Sequence, residues 1–231
     1  MDYNIESGGA WFYPYSYACQ LTMDAQADAV GAQTNLVLLT IGGNDVNFAT
    51  IVEDCFAPAV PFVTDGATPQ ACRAAVEAAD ADLADAMNAT ATAIGRLLGE
   101  KMTGRPDSKV VLMGYPLLAT DRAYVLNKDG DSYDAAAAVR ALGVKARGLQ
   151  KAVVDGLRST WGERVIYVGE VGDAFGGHEP DPRLGTVNDY RWLNEFTETD
   201  GDAADGAKTS ARFSMTAEEW WHPNLIGHRE T

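Results

Sequence analysis

Apolar residues crowd into positions 36–41 (LVLLTI), and the run breaks at Gly42-Gly43 onto two short polar side chains, Asn44 and Asp45. A continuous apolar run ended by glycines predicts a central parallel strand buried on both faces. Polar side chains just past such a strand stand at the carboxyl edge of the sheet, where open α/β sheets hold their ligands. Taken alone, Asn44-Asp45 is equally the cap of the next helix, which the pattern starts at Phe48 and carries through 48–52, ending before Pro58.

Two long amphipathic segments follow. Val76, Ala79, Leu83, Met87, Ile94 and Leu98 recur at three-to-four spacing and predict a helix over 71–102, stopped by Gly104-Arg105-Pro106. Asp80, Asp82 and Asp85 fall off its apolar stripe and read as a solvated face. Val139, Leu142, Ala146, Leu149, Val153 and Leu157 mark a second helix over 133–161. Apolar residues 110–113 and 164–168 predict two further strands. Strand and helix in alternation argue for a parallel sheet with crossover helices, a three-layer α/β/α sandwich. Residues 1–33 are aromatic and glycine-rich without a sustained period, apart from a short helix predicted within 24–30. The tail at 175–216 is polar and loop-rich, with an acidic stretch, ETDGDAADGAK, that reads as a surface loop. With no internal repeat and no linker, the pattern predicts one domain over 1–231.

The 231 residues are 46% hydrophobic, enough for one good core. Thirty-three acidic against 18 basic residues give a formal net charge of −15. That balance excludes phosphate-backbone partners and anionic membrane surfaces, and favours neutral or cationic small molecules. No apolar run approaches a membrane span, so no stable membrane insertion is expected. The first residues, Met1-Asp2-Tyr3-Asn4, have neither the basic nor the apolar region of a signal peptide. Cys55 and Cys72 flank a proline-containing loop. A bridge between them would stabilise the fold by about 3 kcal/mol; the alternative is two buried thiols. Cys19 is the odd cysteine. Three histidines without ligand spacing make no case for a metal, and no cofactor is implied.

The turn IGGND at 41–45 is matched near the other end by WHPNLIGH at 221–228. Together they resemble the SGNH/GDSL hydrolase family, in particular its secreted actinobacterial lipase and esterase branch. KVVLMGYP (109–116) and VGDAFGGHE (171–179) look like that branch's later strand ends, so the resemblance runs over most of the chain. It implies an SGNH-hydrolase, flavodoxin-like fold, a serine–histidine mechanism on carboxylic esters, a small-molecule or lipid ester substrate and secretion. It also implies a cystine after the turn, hence Cys55–Cys72, and normally a partner for a cysteine at position 19.

Carried over residue by residue, His222 is the general base, an imidazole beside the fixed backbone of Pro223. Asn44 is the oxyanion donor, a role whose removal costs roughly 3–4 kcal/mol of transition-state stabilisation. Where the family commonly orients its histidine with an aspartate three residues earlier, this chain has Glu219. Asp45 braces the turn. His178 reads as a structural histidine, and His228 falls on a final helix. The departure is the nucleophile: there is no Gly-Asp-Ser. Aligned with that block, residues 1–10 (MDYNIESGGA) place Tyr3 where the serine belongs. The nearest serine is Ser7, before two glycines, and the block that supplies an oxyanion glycine has no match around 17–21. The stretch before the turn is also shorter than the branch carries. Three readings follow: an esterase shortened at both ends, a hydrolase using Ser7, and a catalytically silent SGNH-fold domain that binds an acyl or glycan ligand.

Overall fold

The computed structural model describes residues 2–6, 16–20, 25–59, 65–182, 191–195 and 221–230. Its centre is a parallel sheet of β3 (Leu36–Leu39), β4 (Lys109–Met113) and β7 (Val165–Val168), in the order β3-β4-β7. Val37 pairs with Val110, and Val110 with Val165, so alternate residues of all three strands share a face. Val37, Leu39, Val110, Leu112 and Val165 point to one side. There they pack with Ile94 and Val154 from the two long helices and with Leu98 and Met102 just past the first of them. On the other side, Met113 and Val168 pack with Val171, Phe175 and Leu193. The sheet is thus flanked by helices in an α/β fold, as the alternation of patterns predicts.

The long helices are α2 (Pro69–Arg96) and α3 (Ala135–Trp161). Thr68 caps α2 by accepting from the Ala71 N–H, with Pro69 in the first turn, where its missing N–H costs nothing. Asp134 caps α3 by accepting from the Ala137 N–H. The buried stripe of α2 is that of the sequence pattern, and Asp80, Asp82 and Asp85 are exposed. A π-type turn at Leu97–Lys101 ends the helical run, closed by the Met102 N–H donating to the Leu97 carbonyl.

Three expectations need correction. Residues 36–39 do not form a strand buried on both faces. Among the described residues β3 is an edge of the parallel sheet, and Leu36 and Leu38 are 52% and 62% exposed. Only its Val37 and Leu39 face has helices packed on it. Second, the helix over 133–161 begins two residues later. Residues 133–134 belong to a hairpin that the pattern missed, β5 (Val125–Lys128) with β6 (Asp131–Asp134). Its tip, Asp129-Gly130, has φ of 51° and 82°, the left-handed pair that a tight hairpin turn requires. Third, the N-terminal region holds an antiparallel pair, β1 (Asp2–Glu6) with β2 (Ser16–Gln20), in a sheet of its own. The helix expected within 24–30 is one 3-10 turn, Gln26–Ala29.

Candidate functional site

At the end of β3 the chain turns sharply at Gly42, whose φ of +104° few side chains tolerate. A Cβ there would also lie 3.2 Å from the Met87 Cε. The Gly43 carbonyl then accepts from the N–H groups of Val46 and Phe48, both at 3.3 Å. Asn47, left-handed at φ 53°, starts α1 (Phe48–Phe56). This double hydrogen bond holds a short 3-10 turn, Asn44–Val46, on which the side chains of Asn44 and Asp45 are exposed. Asn44 is therefore presented outward on a fixed backbone, as its position after the glycines implies.

The neighbouring strand end supplies a residue the sequence had marked without a role. Tyr115, two residues past β4, accepts a hydrogen bond from the Gly43 N–H through its hydroxyl at 3.4 Å, and its ring lies over Gly43. Burial pushes the Tyr115 phenol up, the Gly43 N–H opposes this, and the Asp45 charge adds to it. The hydroxyl stays protonated at neutral pH.

His222 comes from the far end of the chain and is anchored by what precedes and follows it. Trp221, buried and in a positive-φ conformation (60°), stacks on Phe56 at 5.2 Å with planes 8° apart. Its indole N–H donates to the Leu118 carbonyl at 2.6 Å. The His222 carbonyl accepts from the Asn194 N–H, and Pro223 bridges to Leu193. Asn224 donates to the Arg191 carbonyl and accepts from the Gly227 N–H, fixing the start of α5 (Leu225–Glu230). Gly227 has no room for a side chain, since a Cβ would sit 2.3 Å from the Trp192 carbonyl oxygen. Most of the terminal motif is thus scaffold. What it presents is the exposed imidazole of His222, edge-on to Phe48 with ring centroids 6.0 Å apart.

His222 meets Phe48, which lies four residues after Asn44 in the chain. Glu219 and Ser7 lie outside the described residues. Strand β1, which leads into Ser7, pairs with β2 and not with the parallel sheet. Cys19 is in β2, opposite Tyr3. Cys55 and Cys72 are bridged, with Cα atoms 4.5 Å apart. The bridge ties α1 to the start of α2 within the same core cluster as Phe56 and Trp221. His228 lies on α5, and His178 stacks flat on Trp192 at 3.9 Å. Close by, the buried Glu179 carboxylate takes the Arg140 guanidinium at 2.9 Å and the Gly177 N–H, pinning this loop to α3.

Behind the turn is a cavity of about 90 Å³. Gly42, Gly43, Val46, Phe48 and Tyr115 line it on the sheet side, and α2 and α3 close it.

No family model matches the chain, and no curated protein matches it. Solved structures do. The extracellular lipase of Streptomyces rimosus superposes with a TM-score of 0.52 at 21% identity, over 88% of this chain and 70% of its own. Phospholipase A1 of Streptomyces albidoflavus superposes with a TM-score of 0.51 at 20% identity, over 88% of this chain and 72% of its own. The chain shares the α/β fold of these two structures.

Proposed function

We propose that the protein is a lipolytic carboxylic-ester hydrolase of the SGNH/GDSL family, working by a serine–histidine mechanism. The observation that carries this reading is the contact of the exposed His222 imidazole with Phe48, four residues along the chain from the exposed Asn44 on its post-strand turn. His222 takes the proton of the attacking hydroxyl and returns it to the leaving alcohol. The Asn44 side-chain N–H donates to the oxyanion that develops on the ester carbonyl. Glu219, three residues before the base, orients the imidazole. Ser7, immediately after β1, is the nucleophile. No cofactor takes part. The substrate is a small-molecule or lipid ester. Secretion fits the disulfide, which persists in oxidising compartments. No described helix is long and apolar enough to cross a membrane.

The test is hydrolysis of p-nitrophenyl acetate and butyrate by the full chain beside His222→Ala and Ser7→Ala. Both variants should lose activity. A rate equal to that of His222→Ala in the unmodified chain would leave the fold as an acyl-binding domain without chemistry.

A further inference from the structure

We propose that Tyr115 is a positioning residue for the oxyanion donor, its hydroxyl pinning the Gly43 amide and through it the Asn44 turn; this rests on the ester-hydrolase reading above. Gly43 is held from both sides. Its carbonyl accepts from Val46 and Phe48 within its own turn, while its N–H donates to the Tyr115 hydroxyl at the neighbouring strand end. A Cβ on Gly43 would lie 3.3 Å from both the Tyr115 Cζ and the hydroxyl oxygen, so ring end and backbone are in contact there. The internal bonds shape the turn. The Tyr115 bond fixes where the turn stands relative to β4.

Tyr115 is itself well placed to hold still. The Gly114 N–H donates to the Val168 carbonyl at 2.8 Å, which carries the β4–β7 pairing up to the residue before it. Pro116 follows and disfavours a helical backbone at Tyr115. A Cβ on Gly172 would lie 3.4 Å from the Tyr115 carbonyl oxygen, so the chain also packs closely on that side. The same loop reaches the other half of the site. Three residues on, the Leu118 carbonyl accepts from the indole of Trp221, the neighbour of His222. The Ala119 carbonyl accepts from Arg140, whose guanidinium also takes the buried Glu179 carboxylate. Segment 115–119 thus touches the Asn44 turn at one end and the anchor of His222 at the other. An amide stabilises a developing oxyanion best when it is already in place, because a loose donor has to be ordered in the transition state. A hydroxyl that places the Asn44 turn therefore raises kcat and leaves ground-state binding as it is.

The test uses Tyr115→Phe, which removes the hydroxyl and keeps the ring. The unmodified full chain, Tyr115→Phe, Asn44→Ala and the double variant are compared on p-nitrophenyl butyrate, each checked for folding by circular dichroism. Exchange of the Gly43 amide with solvent is followed by NMR in the unmodified chain and in Tyr115→Phe. Tyr115→Phe should lower kcat about threefold to tenfold, the span that one net hydrogen bond supplies, with KM unchanged. The same change should leave kcat unaltered where Asn44 is already replaced, and the Gly43 amide should exchange correspondingly faster. A kcat loss of equal size with and without Asn44, or Gly43 exchange that Tyr115→Phe does not alter, overturns the positioning role. A rise in KM without loss of kcat overturns it as well, since the hydroxyl would then bind substrate directly. Ester hydrolysis absent from the unmodified chain, with Gly43 exchange still faster in Tyr115→Phe, overturns the hydrolase reading and leaves the pin on the turn standing.

Discussion

The imidazole of His222 meets the ring of Phe48 at 6.0 Å and 68°, and Phe48 is the first residue of the helix that leaves the Asn44 turn. This aromatic contact joins the terminal segment to the helix that follows the turn. Beneath it, Trp221 stacks on Phe56 of the same helix, and Cys55 locks that helix to α2. The position of the proposed base thus depends on a column of packing, and the predictions below probe that column from its parts.

Trp221 anchors His222 by area and by one hydrogen bond. Trp221→Ala should destabilise by about 3–5 kcal/mol, as expected for removing a large buried aromatic. Trp221→Phe keeps most of the stacking but orphans the Leu118 carbonyl, for about 1–3 kcal/mol. Urea titration separates the two. If His222 is the base, the Phe variant should also lose esterase activity well beyond its loss of folded protein.

The Cys55–Cys72 bridge closes a loop with a sequence separation of 17. In the chain-entropy model, replacing both with alanine should cost about 3 kcal/mol. The loss should show as a lower urea midpoint, and dithiothreitol should reproduce it in the unmodified chain only.

The sequence carried the glycine break, the helix stripes and the terminal motif because each is a local pattern with a physical cause. Gly42 is needed for its positive φ, and the buried face of α2 repeats at helical spacing. Whether a strand is central or at an edge is not local. Leu36 and Leu38 read as core because nothing in their own segment says which strands lie beside them. The hairpin tip Asp129-Gly130 was legible in principle. It was masked by the apolar pattern of α3, which extends back to Tyr133. Asn44 and His222 could be named from motifs, whereas Tyr115, Phe48 and Trp221 acquire roles only once the chain ends are brought together.

Arg73 reaches from α2 to Asp131 at the hairpin with two guanidinium hydrogen bonds of 3.1 Å. That hydrogen bond, chiefly, holds the Asp131 carboxyl below its usual range. A carboxyl whose folded pKa lies below its unfolded value of about 4 stabilises the fold above that value. The contribution disappears as pH falls through the lower, folded pKa. Asp131→Asn should therefore melt below the unmodified chain at neutral pH, and the two melting temperatures should converge in acid. Because the pair is solvent-accessible, raising salt should shrink the gap as well.

The most direct test of the central claim is fluorophosphonate labelling of the full chain, with the adduct located by peptide mass spectrometry. A serine activated by His222 should carry the phosphonyl group, mapped to Ser7, and His222→Ala should abolish the label while leaving the fold intact. No serine adduct, or one that His222→Ala leaves undiminished, would contradict a serine–histidine hydrolase.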